Sequence, residues 1–352
     1  MDCLRSLMSK NPTLKDVAHE ARVSTATVAR VLHGRGFVSK ESRKQVEEAI
    51  SKTGYRLNIL AQSLRRQRTK TIGHLLTSIS PNPFFAGVEL GVENEAIRNG
   101  YSVLIWNVFE DAKREALGVE AFVQRQVDAI IFTTPIDPKN VEIALSAHIP
   151  VIQVERPTQV PSHKVLVDNY AGAVSATEHL LNLGHKRIGY IGGDPRNYHT
   201  DLSVDEQRLT GYRDTLRKNN ITPSEKWYAS GKYYSIEDGY QIMENFLKDG
   251  EITAVIAACD ILAAGALQAI YQHHLRVPDD ISVVGFDDTY APYLSPPLTT
   301  VRQPMFEIGQ MAARIAIESL NLPGEITPAS FRIDRLSTQL TVRSSTSAPR
   351  SD

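Results

Sequence analysis

The sequence predicts an α/β protein, two doubly wound parallel-sheet lobes preceded by a three-helix helix-turn-helix domain. Three observations carry this. From Thr71 onward, apolar runs (TIGHLLT, SVLIWNV, AIIFTT, PVIQVE, KVLVDN, RIGYIGGD, AVIAACD, SVVGFDD) alternate with helical segments such as FFAGVELGVENEAIRNG and GAVSATEHLLNLGHK. Near-continuous apolar strands joined by helices belong to parallel sheets covered on both faces. About ten strands over roughly 280 residues fit two such sheets better than one. The first 70 residues, by contrast, show helical periodicity, and hold 15 Lys and Arg against 6 Asp and Glu, whereas the rest holds 24 against 34.

In the head, Thr13-Leu14-Lys15-Asp16 is a capping-box-like start, and Val17, Ala18 and Ala21 recur at helical spacing, predicting a helix over about residues 14–22. Ser24 caps a second helix with Val28, Val31 and Leu32 inward. Only Arg22-Val23-Ser24 separates the two, which makes a helix-turn-helix. Ser39 opens a third helix through about Lys52, with Val46, Ala49 and Ile50 inward and Gly54 as its left-handed stop. Beyond Tyr55, Asn58 is placed to cap a short helix containing Leu60, Ala61 and Leu64, ahead of Arg65, Arg66, Arg68 and Lys70. Such a helix is too short to stand alone and needs a partner or ligand to order it. In the body, ligands of doubly wound sheets bind beyond the carboxyl ends of the strands, so the residues closing each run are the ones to watch. STSAPRSD at the end reads as disordered.

The 352 residues are enough for two or three compact units. No apolar run approaches the roughly 20 residues of a membrane span, and MDCLRSLMSK has neither a long apolar stretch nor a small-residue cleavage site, so a cytoplasmic protein is expected. Cys3 and Cys259 lack metal-site spacing, and no metal or other cofactor is expected. A basic head on an acidic body points to a polyanion at the head, the alternative being an ordinary solvated helical face.

Several ordered signatures together carry a resemblance. TLKDVAHEARVSTATVARVL, VSKESRKQVEEAISKTGY, LNILAQSLRR, NPFFAGVELGVENEA, LLNLGHKRIGYIGG, QRLTGY, VPDDISVVGFDD and PPLTTVRQPMFEIGQMAA resemble the LacI family of bacterial transcription regulators over nearly the whole chain. The resemblance implies a DNA-binding domain over 1–56, a hinge helix and linker over 57–70, and a periplasmic-binding-protein-like body over 71–345. The chain would cross between lobes three times, giving one lobe of about 71–168 with 301–328 and another of about 169–300 with 329–345, then a tail at 346–352.

At the DNA end, Thr25, Ala26 and Arg30 match the family positions that read operator bases from a helix in the major groove. Arginine bonds guanine bidentately, and small residues offer methyl contact to thymine. Arg30 would otherwise be an exposed helix residue. Thr13, Ser24 and Thr27 are placed for phosphate contacts, roles compatible with capping. Ala29 stands where most of the family has serine, and His33 where it often has asparagine, so contacts are lost or altered there. The hinge resemblance implies that Leu64 wedges into the minor groove, Ala61 keeps paired hinge helices close, Asn58 caps and Arg65 follows the groove edge. Leu64 could instead belong to the body's core.

At the effector end, Arg208 of QRLTGY and Asp287 of VVGFDD match cleft residues that clamp hydroxyls or heteroatoms, with an internal salt bridge as the alternative. Tyr234 matches an aromatic position that stacks on a ligand face, unless it is a half-buried surface tyrosine. Phe84, Phe85, Glu155 and Gln303 match further cleft positions, and Cys259 stands where sugar-responsive members offer a polar group. Asp168 and Asn169 lie at a crossing between lobes. The segment from Gly193 to Arg208 is longer than the family norm, so Arg196, Tyr198 or His199 either reach the cleft or decorate the surface.

The expected function is a homodimeric, sequence-specific DNA-binding regulator, a repressor on palindromic operator DNA, controlled by a small effector of the sugar class. An enzyme is the first alternative, but GxGxxG, GxSxG and P-loop motifs are missing and His185 reads as structural. A sugar-binding transport protein leaves residues 1–70 without a role.

Overall fold

A computed structural model describes residues 12–33, 36–55, 68–77, 82–193, 203–232, 234–248, 250–321 and 330–350. The chain divides into two compact units, Met1–Thr69 and Lys70–Asp352.

The first unit packs helices α1 (Leu14–Glu20), α2 (Thr25–His33) and α3 (Lys40–Thr53) around a small core. The starts follow the sequence signals. The Asp16 carboxylate accepts from the Thr13 main-chain N–H and hydroxyl, both at 2.7 Å, and Ser24 Oγ accepts from the Thr27 N–H at 3.1 Å. Ser39 Oγ caps α3 through the Ser42 N–H at 3.1 Å, and Gly54 ends it at φ 65°. Val17, Val28 and Val46, one from each helix, are fully buried, and at about 1.5–3 kcal/mol apiece they are the main source of cohesion. The Lys52–Glu20 ion pair that joins α3 to α1 is exposed and screened by water, so it adds little. The proposed hinge residues Asn58, Ala61, Leu64 and Arg65 lie outside the described residues.

The second unit holds two six-stranded sheets. In the first, strands β1 (Thr71–Leu76), β2 (Ser102–Asn107), β3 (Ala129–Thr133), β4 (Val151–Val154), β5 (His163–Val167) and β11 (Ile333–Leu336) lie in the order β11-β5-β4-β3-β1-β2, all parallel. Helices α4 (Pro83–Arg98), α5 (Ala112–Gln124), α6 (Pro138–Ser146) and α11 (Met305–Ser319) belong to this lobe. In the second, strands β6 (Ile188–Gly192), β7 (Tyr228–Ser230), β8 (Ala254–Ala257), β9 (Ser282–Asp287), β10 (Thr299–Arg302) and β12 (Gln339–Thr341) lie in the order β12-β10-β9-β8-β6-β7, only β12 running antiparallel. Its helices are α7 (Asn169–Asn182), α8 (Val204–Lys218), α9 (Ile236–Lys248) and α10 (Asp260–Gln272).

The central strands are buried on both faces, hence their unbroken apolar runs. Where α4 crosses α11, a Cβ at Gly91 would meet the Phe306 carbonyl oxygen at 2.1 Å, and one at Gly309 would meet that of Val88 at 2.0 Å. Only glycine permits that backbone approach.

Two expectations are corrected. The third crossing lies between Leu336 and Gln339, not near residue 329, because β11 pairs with β5 of the first lobe. Residues 346–350 are docked, not disordered. Ser345 is fully buried, its carbonyl accepting from the Val283 N–H at 2.8 Å, and the Ser347 carbonyl bonds His185 Nε2 at 2.8 Å, which gives His185 the structural role expected of it. Ser345 Oγ donates to the Val283 carbonyl at 2.6 Å and the Ser347 N–H to Ser282 Oγ at 3.0 Å, both at the start of β9, while the Thr346 hydroxyl meets the Thr299 hydroxyl and the His179 ring.

Candidate functional site

In the body, the residues picked from strand ends converge on Arg208. Contrary to the expectation of a loop end, Arg208 sits in the second turn of α8, whose N-cap Ser203 accepts from the Glu206 N–H at 3.4 Å. Its guanidinium is 3% exposed and lies 3.7 Å above the centre of the Phe286 ring. Nε donates to Asn169 Oδ1 at 2.8 Å and Nη1 to the Ala258 carbonyl at 2.5 Å. Nη2 stands 3.7 Å from Glu155 Oε1 and 3.9 Å from Asp287 Oδ1. These last two are electrostatic contacts, too long for hydrogen bonds.

Glu155 follows β4 of the first lobe, and Asp287 ends β9 of the second. Both hold positive φ (67° and 105°), a conformation that side chains other than glycine seldom adopt and that concentrates at functional sites. Asp287 Oδ1 accepts from Gln303 Nε2 at 2.7 Å, so the second crossing between lobes is tied to the site. Burial pushes the Asp287 carboxyl up to about 6, against the pull of Arg208 and the Gln303 bond. Burial also raises Glu155, with Arg208 and Arg156 opposing. Burial and then the Asp287 charge push neighbouring Asp260 up to about 7, although it accepts from Thr300 Oγ1 at 2.7 Å. Cys259, at the N-cap of α10, is buried and its thiol pKa is raised, so it is a neutral packing group. Tyr234 is half-buried, donates its hydroxyl to Asp205 Oδ1 and carries the Arg156 guanidinium 4.8 Å from its ring centre.

Of the expected cleft residues, the structure therefore gathers Glu155, Arg208, Asp287 and Gln303 into one contact network, and places Tyr234 beside it through Asp205 and Arg156. Phe84 is a core residue of the first lobe, with Phe85 packed edge-on against it. Asp168 caps α7, whereas Asn169 joins the cluster. Sequence reasoning missed Asp205, Arg156, Asp260 and Tyr190, all buried or near-buried around Arg208. Asp205 had a signal, since it precedes Arg208 by three residues and shares its helix face. Arg196, Tyr198 and His199 lie outside the described residues.

In the head, Ser24, Thr25, Ala26 and Arg30 are exposed, with Thr27 and Ala29 half-buried, while Val28 and Val31 point inward. The outer face of α2 is thus a row of small side chains from which one long cation projects. His33 closes the helix. The Thr13 hydroxyl is engaged by Asp16, and that of Ser24 lies 2.9 Å from that of Thr27.

Comparison with known proteins agrees with both halves. The lacI family of bacterial regulatory proteins matches residues 13–58, and a periplasmic binding protein-like domain matches residues 177–346. The ribose operon repressor of Haemophilus influenzae is 35% identical over 316 residues, 89% of this chain and 93% of its own length. This chain belongs to the lacI family. As a lacI-family protein it is a DNA-binding transcriptional regulator under effector control. The HTH-type transcriptional repressor PurR of Haemophilus influenzae is 30% identical, covering 95% of this chain and 98% of itself. Among solved structures, the lac repressor dimer bound to operator and the anti-inducer ONPF superposes with TM-score 0.83 at 29% identity, covering 96% of this chain and all of the other. The regulator CelR in complex with cellobiose gives 0.71 at 30% identity, covering 95% and 100%. Among the described residues of this lacI-family member, no helix is long and apolar enough to cross a membrane.

Proposed function

We propose that this chain is a homodimeric repressor that works in the cytoplasm without enzymatic activity, and that an effector of the sugar class, bound between its lobes, sets its affinity for a palindromic operator. The carrying observation is the buried Arg208 cluster, which draws Glu155 from the first lobe and Asp287, Asn169 and Ala258 from the second into one polar site. A buried arginine set among acids whose carboxyl pKa values are raised has the character of a ligand site, and a buried ion pair is a poor stability device. Arg208, Asp287, Glu155 and Gln303 bind the effector directly, Tyr234 offers it a ring face, and Phe84, Phe85 and Cys259 shape the walls. Relatives with sugar-related names, and solved structures with cellobiose and with ribose, support that ligand class.

At the head, Arg30, Thr25 and Ala26 read bases, Thr13, Ser24, Thr27 and His33 approach phosphates, and the linker residues Asn58, Ala61, Leu64 and Arg65 engage the minor groove. The test is fluorescence anisotropy of the full chain on a palindromic operator selected from random DNA. Arg30→Ala, which sits on an exposed face and leaves the core intact, is expected to cost about 1–3 kcal/mol and to relax preference at one base pair per half-site. Equal binding of parent and variant to every sequence removes Arg30 from base reading.

A further inference from the structure

The hydrogen bonding of the Arg208 cluster is unbalanced, and the imbalance has a sign. Glu155 Oε2, Asp205 Oδ2 and Gln303 Oε1 are buried acceptors without a hydrogen-bond partner, on side chains 6%, 4% and 2% exposed, against one buried hydroxyl nearby, that of Tyr190, with a proton still to donate. A buried acceptor left unmade costs about 1–3 kcal/mol, and more where the group is charged. The charges lean the same way: Glu155, Asp205 and Asp287 outnumber Arg208 and Arg156. Arg208 commits Nε and Nη1 to the neutral Asn169 and Ala258 oxygens, which leaves only the long Nη2 contacts for the acids. Asp205 is near enough to Glu155 to raise its pKa.

A neutral polyol brings as many acceptors as donors, so it meets the free oxygens without correcting the charge. An anionic ligand adds a fourth negative group to a buried site, which is costly. An ammonium brings three donors, no acceptor and the missing positive charge. We propose, on the effector-site reading above, that the effector is a hydroxylated small molecule carrying a protonated amine, seated between the free carboxylate oxygens of Glu155 and Asp205. Gln303 Oε1 takes a hydroxyl of the same molecule, and the Tyr234 ring beside Asp205 offers a face to the cation.

The experiment is titration calorimetry of the full chain at pH 7.5 with matched probes, paired with operator anisotropy. D-glucosamine and 2-amino-2-deoxy-D-ribose are set against D-glucose and D-ribose, and against D-glucuronate and ribose 5-phosphate. The expected result is that at least one amine binds about tenfold or more tighter than its neutral parent, with the acids weaker still. Glu155→Gln and Asp205→Asn, each checked for folding by its thermal melt, bring the amine-to-neutral ratio toward one. A neutral or acidic probe that binds as tightly as the amines and alters operator affinity overturns the amine while leaving effector control standing. Failure of both amines to bind also overturns it. A probe that binds without altering operator affinity counts against the effector reading itself.

Discussion

Replacing Arg208 with methionine isolates what the buried guanidinium does. Methionine keeps an unbranched apolar stem but removes the guanidinium from the face of Phe286 and strips Asn169 Oδ1 and the Ala258 carbonyl of their donors, at about 1–3 kcal/mol each. It also leaves Glu155 and Asp287 as buried carboxylates with their nearest cation gone, a loss of roughly 3–5 kcal/mol while they are ionised. The second cost depends on pH, and its direction follows from the carboxyl pKa. Asp287 titrates near 6 in the folded protein, above its unfolded value, so the native state holds the extra proton and stability falls as pH rises from about 4 through 6. At about 1.4 kcal/mol per pH unit of displacement, that is roughly 3 kcal/mol in the parent. Without Arg208 the folded pKa moves higher and the loss extends further up the scale. Differential scanning calorimetry at pH 5 and pH 8 should therefore show Arg208→Met as much more damaging at pH 8, where the acids are forced to ionise. An equal penalty at both values, or a penalty below about 1 kcal/mol at pH 8, refutes the electrostatic account of the cluster.

Other predictions follow from single contacts. Gly309→Ala drives a Cβ into the Val88 carbonyl and should destabilise the body by about 1–3 kcal/mol or more, read as a lowered melting temperature. Truncation after Ser344 removes the partners of Val283, Ser282 and His185, and at about 1 kcal/mol per net hydrogen bond should cost roughly 3 kcal/mol by urea titration; an unchanged midpoint makes the tail dispensable. Leu64→Ala should weaken specific operator binding by a few kcal/mol while leaving the thermal melt of the body unaltered, and undiminished operator affinity removes the minor-groove wedge.

The sequence made the central strands legible because burial on both faces writes them as unbroken apolar runs, and β3, β6 and β9 stand where those runs predict. The late strands were hidden for the opposite reason. IDRL of β11 and QLT of β12 sit at sheet edges, short and partly exposed, so neighbouring strands rather than local pattern determine them. The tail misled for a related reason: serine and threonine look disordered in composition, yet the Ser345 hydroxyl and the Ser347 main chain close hydrogen bonds that the start of β9 leaves open. Arg208 looked like a loop residue because Gly193-Asp194-Pro195 breaks any pattern before it. The capping signal Ser203-Val204-Asp205-Glu206 was present all the same, and would have placed both Asp205 and Arg208 on the first turns of a helix. Asp260 and Tyr190 left no such trace, since an acid or a tyrosine inside an apolar run becomes a site residue only when the fold brings Asp287 from another strand, or Arg208 from helix α8, beside it.

On the effector-site reading, two residues of the ligand cluster also lie at the crossings between lobes. Asn169, which holds Arg208 Nε, begins the helix after the first crossing, and Gln303, which holds Asp287, is the second crossing itself. An effector held by Glu155 on one side and Asp205 on the other touches both lobes, so part of its binding energy exists only in the arrangement that brings them together. The bond to Asp205 stays with the second lobe in either arrangement, so the difference between the two is the one charge-assisted hydrogen bond to Glu155, about 1.5–3 kcal/mol. Inverting a population from 1:99 to 99:1 takes about 5.5 kcal/mol, so this one contact supplies roughly a quarter to a half of a full switch, and further contacts to the first lobe supply the rest. A ligand that reached only Arg208, Asp287 and Asn169 would bind the second lobe equally in either arrangement, and by the same arithmetic would move nothing. On the effector-site reading, Glu155 is thus the residue through which binding of a cation becomes closure, since it brings the first lobe's negative charge to the cluster, with Arg156 as that lobe's positive one.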